Sequence, residues 1–182
     1  VSADGKLSTR RREQVRISGA ADFARMERIR AESDAVLVGV GTVLADDPSL
    51  ERHDQQHRQA VGKSGVPARV VADSRARTPP DAAVLNGDAA TYLLVADTAP
   101  GERVSARESA GAEVVRAGNE RVDLATAFAA LETAGIERLM VEGGGELLSS
   151  LFAAGLVDEL TLYVGSMLIG GRDAPTLVDG EG

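Results

Sequence analysis

Glycines, hydroxyls and carboxylates recur in this chain at the ends of apolar runs, the place where open α/β sheets bind their ligands. Val141-Glu142-Gly143-Gly144-Gly145-Glu146 lies between the apolar run Ile136 to Val141, which reads as a buried strand, and an amphipathic segment, Leu147 to Leu156. Three glycines place no Cβ between the backbone and whatever sits above it. A helix N-terminus just beyond offers unpaired N–H groups and partial positive charge, a setting for a phosphate or pyrophosphate. Alone, such a triplet is equally well a tight turn. Two further run ends keep it company. Gly39-Val40-Gly41-Thr42 closes the run that starts at Ala35, and Val70-Val71-Ala72-Asp73-Ser74-Arg75 brings a hydroxyl and a guanidinium to the end of a third. Three polar strand ends can converge on one nucleotide. No G-x-G-x-x-G stretch is present, so the common dinucleotide fingerprint is absent.

Other chemistries find little support. There is no cysteine, which removes disulfides and argues against structural zinc, and two histidines make no Cys/His metal cluster. The net charge of −8 argues against nucleic acid as a partner. No apolar run approaches the roughly 20 residues that span a bilayer, and no signal peptide is recognisable, so the expectation is a cytoplasmic protein without a membrane partner.

The elements that must position these residues alternate. Ala35 to Val40, Ala68 to Ala72, Thr91 to Ala96, Glu113 to Val115, Arg138 to Val141 and Glu159 to Val164 are short and nearly all apolar, as strands buried on both faces are. Helices are expected from Ser18 as a cap to about Arg30, with Phe23, Met26 and Ile29 at helical spacing, and from Asp123 through Thr133, closed by Gly135. A third comes after the glycine triplet. The polar stretch Glu51 to Gly65 reads as a surface loop. Alternation of this kind means α/β with a mainly parallel central sheet flanked by helices. Residues 1–182, 43% hydrophobic, fit one domain. The abrupt ends suggest a missing strand at each, with an antiparallel sheet edge supplied beyond the C-terminal end.

Ser2-Ala3-Asp4-Gly5-Lys6, Arg16-Ile17-Ser18, Ile29-Arg30-Ala31, the run Gly39 to Leu50, Val71 to Ser74, Glu142 to Gly145 and Gly155 to Glu159 together resemble the pyrimidine reductases of riboflavin biosynthesis. The resemblance covers nearly the whole chain in order, and Gly41-Thr42…Asp46-Asp47-Pro48 is its most specific block. It implies a dihydrofolate-reductase-like fold, NADPH as cofactor and a homodimer. The implied reaction turns a ribosylamino into a ribitylamino group on a pyrimidine 5′-phosphate. A stand-alone reductase of this kind acts on the 2,5-diamino pyrimidinone, whereas the bacterial deaminase–reductase acts on the deaminated dione.

The same resemblance assigns residues. Thr42, Asp46, Ser74, Gly143, Gly144, Gly145 and the backbone of Glu146 match NADPH-contacting positions, and Arg75 and Arg77 lie where a 2′-phosphate could be received. Lys6, Gln14, Arg16, Arg30, Leu50 and His53 match substrate-binding positions, with Arg30 and His53 serving the 5′-phosphate. His53 stands where the bacterial branch has arginine, and Arg52 is its neighbour. Glu142 is expected to be the catalytic acid, orienting the sugar or relaying a proton; the plain alternative is an ion pair with Arg138. His57 is expected to be a solvated loop residue.

Overall fold

Apolar, β-branched runs make strands that tolerate burial on both faces, and five of them form one parallel sheet. In this computed structural model, which describes residues 1–11, 13, 15–87 and 89–179, the strands are β1 (Ala35–Gly39), β2 (Ala68–Ala72), β3 (Thr91–Val95), β4 (Ala112–Arg116) and β5 (Leu139–Val141). Their order is β4-β3-β2-β1-β5, and each neighbouring pair is parallel. The helices are α1 (Ala20–Glu32), α2 (Val40–Asp46), α3 (Gln55–Ala60), α4 (Gly101–Ser109), α5 (Leu124–Thr133) and α6 (Gly145–Ala153). The expected α/β class holds. None of the described helices is long and apolar enough to cross a membrane.

The chain falls into two compact units. Glu27–Glu142 contains the whole sheet, and Val1–Met26 combines with Gly143–Gly182. The core of the larger unit is a cluster from β1, β2 and β3, including Val36, Val38, Val71, Leu93 and Val95, joined by Val43 of α2 and Val104 of α4.

Several elements differ from expectation. β5 begins at Leu139, not Ile136. Gly135, at φ +88, ends α5, and the Ile136 N–H returns to the Leu131 carbonyl at 3.0 Å. Glu137 and Arg138 then donate their N–H groups to the Asp34 carboxylate instead of a ladder. α1 starts at Ala20, where the Gly19 carbonyl accepts from Asp22 and Phe23, so Ser18 lies outside it. Phe23 is 42% exposed, which breaks the expected apolar stripe. The helix continues to Glu32, and Arg58 holds the carbonyls at its end, that of Ala31 at 3.0 Å and that of Ser33 just beyond it at 2.7 Å.

The supposed loop Glu51 to Gly65 contains α3, started by the Asp54 side chain accepting from the His57 N–H at 2.9 Å. His57 is not merely solvated; its Nε2 lies 2.8 Å from Glu32 Oε1. Helix α4 buries only Val104 and so writes no apolar period in the sequence. Glu159 to Val164 forms no strand. Its alternate apolar residues Leu160, Leu162 and Val164 are exposed, and the nearest pairing is an isolated bridge between Ser2 and Gly165.

Candidate functional site

Parallel register brings the carboxyl ends of β2, β1 and β5 side by side within the larger unit: Gly39 is level with Ala72, Leu37 with Val141, and the Glu142 N–H donates to the Leu37 carbonyl at 2.9 Å. β1 passes directly into α2. Gly39 precedes that helix in extended conformation with no side-chain cap, whereas α3 and α5 are capped by Asp54 and Asp123. The first N–H groups of α2 are thus left for another acceptor. A Cβ on Gly41 would meet nothing within 4 Å. Thr42 is half-buried in the first turn, and Asp46 is exposed in the last. Asp47 leaves the helix at φ +42, its carboxylate accepting from the Ala83 N–H.

At the end of β2, Asp73 is fully buried and closes a turn by accepting from the Thr78 N–H at 2.6 Å and hydroxyl at 2.9 Å. That turn displays Ser74, Arg75 and Arg77. The Ser74 hydroxyl accepts from the Val122 N–H at 3.1 Å, which leaves its own proton for a ligand. Arg75 and Arg77 are exposed, with Arg77 Nε 3.7 Å from Asp73.

Glu142 directly follows β5, and its partner is Arg30, not Arg138. Arg30 Nε and Nη2 each donate to one carboxylate oxygen, a bidentate pair in which both side chains are largely buried. Arg138 pairs with Glu32 instead. Burial opposes the charge on Arg30, but the hydrogen bond and charge of Glu142, with the charge of Glu27, outweigh it and hold the guanidinium above its ordinary range. The third nitrogen, Nη1, donates to the Arg52 carbonyl at 2.9 Å.

Leu50 is buried at φ +58. His53 Nδ1 donates to the Glu51 carbonyl at 2.6 Å, and its Nε2 is buried without a hydrogen bond among the described residues. Arg52 is exposed and paired with Glu27 at 2.5 Å.

In the smaller unit, Gly143 and Gly144 adopt φ +80 and +98, and α6 starts at Gly145 without a side-chain cap. Glu146 is exposed in the first turn. A Cβ on Gly145 would collide with the Asp179 carboxylate, because Asp179 packs there with its N–H on the Gly145 carbonyl at 3.2 Å. Lys6 Nζ donates to the carbonyls of Ala174 at 3.0 Å and Arg172 at 3.4 Å, so the loop already uses part of its capacity. Arg16 is exposed; Gln14 lies outside the described residues.

Sequence reasoning passed over Asp179, Glu51 and Arg69. Only Arg69 left a signal: a charge inside the apolar run Ala68 to Ala72 must be paired where it is buried.

A model of the family described as the RibD C-terminal domain matches residues 1–182. Relatives that carry the name 2,5-diamino-6-ribosylamino-4(3H)-pyrimidinone 5′-phosphate reductase include two that match nearly the whole chain. That of Archaeoglobus fulgidus is 49% identical over 99% of this chain and 83% of its own. That of Methanothermobacter thermautotrophicus is 48% identical over 100% and 82%. Among solved structures, a pyrimidine reductase-like protein of Corynebacterium diphtheriae superposes with TM-score 0.83 over 98% of this chain and 77% of its own at 19% identity, a likeness of fold.

Proposed function

The chain belongs to the RibD C-terminal domain family, and from that premise we propose that it reduces 2,5-diamino-6-ribosylamino-4(3H)-pyrimidinone 5′-phosphate in riboflavin biosynthesis. The reaction converts ribosylamino to ribitylamino, with NADPH as reductant. The observation that carries the reading in the geometry is the uncapped glycine start of α2, on the strand next to the Arg30–Glu142 pair. Open space above Gly41 and a helix start without a side-chain cap among the described residues suit a cofactor phosphate or amide.

When bound, the nicotinamide supplies a hydride to the imine carbon of the ring-opened sugar, and the imine nitrogen takes up a proton. The residues bind, orient and exclude water. Thr42, Asp46 and Ser74 hold the cofactor, Asp46 as an acceptor for its hydroxyl groups and Ser74 as a donor. Arg75 and Arg77 receive a 2′-phosphate, which selects NADPH over NADH. Gly143, Gly144, Gly145 and the backbone of Glu146 serve the pyrophosphate. Arg30 takes the 5′-phosphate of the substrate, with Leu50 and His53 in the same loop, and Lys6, Gln14 and Arg16 serve the pyrimidinone. Glu142 lies on the substrate side. The proposal includes a homodimer, which light scattering checks.

Steady-state rates with the diamino compound and the deaminated dione, each with NADPH and NADH, test the reading. Turnover of the diamino compound with NADPH is expected to dominate. Preference for the dione overturns the branch and keeps the reductase; no turnover of either rejects it. Equal use of NADH removes the role given to Arg75 and Arg77.

A further inference from the structure

Arg69 occupies the second position of β2 and is fully buried. Its Nη1 donates to the carbonyls of Val84 at 2.7 Å and Asn86, and its Nη2 donates to Glu51 Oε1 at 2.8 Å. Glu51 itself is a loop residue whose side chain is 43% exposed, so the sheet interior grips a surface loop through one carboxylate. Gly87, at φ +96, lies against the grip: a Cβ there would collide with Glu51 Oε1 and stand 3.0 Å from Arg69 Nη2. The grip bears on the site through two backbone carbonyls. That of Glu51 accepts from His53 Nδ1, and that of Arg52 accepts from Arg30 Nη1. The residue before Glu51, Leu50, sits at φ +58, a conformation that persists only where surrounding structure enforces it.

We propose that Glu51 is a positioning residue for substrate binding: clamped by buried Arg69, it fixes the two successive carbonyls that orient Arg30 and His53. Glu51 touches no reacting atom. A solvated glutamate in a polar loop would leave these carbonyls to wander, whereas a charge-assisted bond to a guanidinium built into the sheet holds them. The inference rests on the reading that Arg30 and its loop receive the substrate phosphate.

The test uses the intact chain with Glu51→Ala, and with Glu51→Gln, which keeps an acceptor oxygen for Nη2. Loosening the loop should raise KM for the phosphorylated pyrimidine by about tenfold in Glu51→Ala, below the roughly hundredfold that a 1 Å misplacement can cost. The kcat should change less than twofold and KM for NADPH should not move, and Glu51→Gln should recover most of the loss. If Glu51→Ala melts below the assay temperature, Glu51→Asp takes its place: it keeps the charge for Arg69 but pulls the loop, with the same direction expected. Unchanged substrate KM, or equal changes in kcat and NADPH KM, overturns the proposal. Affinity for ribose 5-phosphate, measured by calorimetry on wild type and variants, separates the two claims. Absence of turnover in wild type defeats the functional reading, while equal or undetectable ribose 5-phosphate binding in wild type and Glu51→Ala defeats this one.

Discussion

Two glycine-bearing turns lead into helices here, and their glycines stand there for different reasons. In the turn at Gly143 to Gly145 the protein itself demands glycine: two residues sit at positive φ, and the third leaves room for Asp179. In the turn at Gly39 to Gly41, Gly41 has an ordinary helical backbone and nothing within 4 Å of where a Cβ would be. No internal reason keeps it glycine. The triplet is the louder signal in the sequence, yet the quieter turn is the better structural argument for a ligand.

The largest effect that would sharpen this contrast is expected from Gly144→Val. A β-branched residue at φ +98 should cost about 2–3 kcal/mol, seen as a lowered thermal midpoint, whether or not cofactor is present. An unchanged midpoint would show that the triplet is not conformationally required. Gly41→Ala should do the reverse. It should stabilise α2 by about 0.5–1 kcal/mol, as alanine does in a helix, while weakening NADPH binding measured by fluorescence titration. Retained NADPH affinity would break the comparison, because the space above Gly41 would then be incidental.

The smallest effect lies in the unit that carries the triplet. Asp4 accepts hydrogen bonds from the Ser2 hydroxyl and from the N–H groups of Ile169 and Gly170, which lower its pKa from 3.8 to about 2. A carboxylate whose folded pKa is below its unfolded one stabilises the fold above the unfolded value and loses that contribution as pH falls through the folded one. Urea midpoints of wild type and Asp4→Asn should therefore differ by a constant amount above about pH 4 and converge as pH drops toward 2. Convergence beginning near neutrality would deny the role.

The strands of the larger unit were legible because each is a short apolar run between polar punctuation; β2 matches Ala68 to Ala72 at both ends. Helix α5 was legible for the same reason its ends are sharp, an Asp123 cap and a Gly135 stop. What stayed hidden depends on pairing across distance. Helix α3 is made by Asp54 and held by buried Arg58 inside a stretch whose composition reads as loop. Glu159 to Val164 has strand composition but gains no ladder among the described residues. The candidate site shows the same split: Gly39, Ser74 and Glu142 stand at strand ends as read, but of the ion-pair partners open to Glu142 the sequence suggests only nearby Arg138, because Arg30 lies 112 residues away.

That separation has a consequence for how the molecule reaches its working state. β1 to β4 pair in the order in which they are synthesised, each closing a modest loop, whereas β5 must come back across the sheet to the free edge of β1. Closing a loop of that length is entropically the most expensive step of the assembly, and non-local pairings of this sort tend to form late. Glu142 arrives at Arg30 with that last strand. The guanidinium therefore gains its partner only when the sheet is finished, and a nascent or partly folded chain would hold the ingredients of the proposed phosphate site without the alignment to use them.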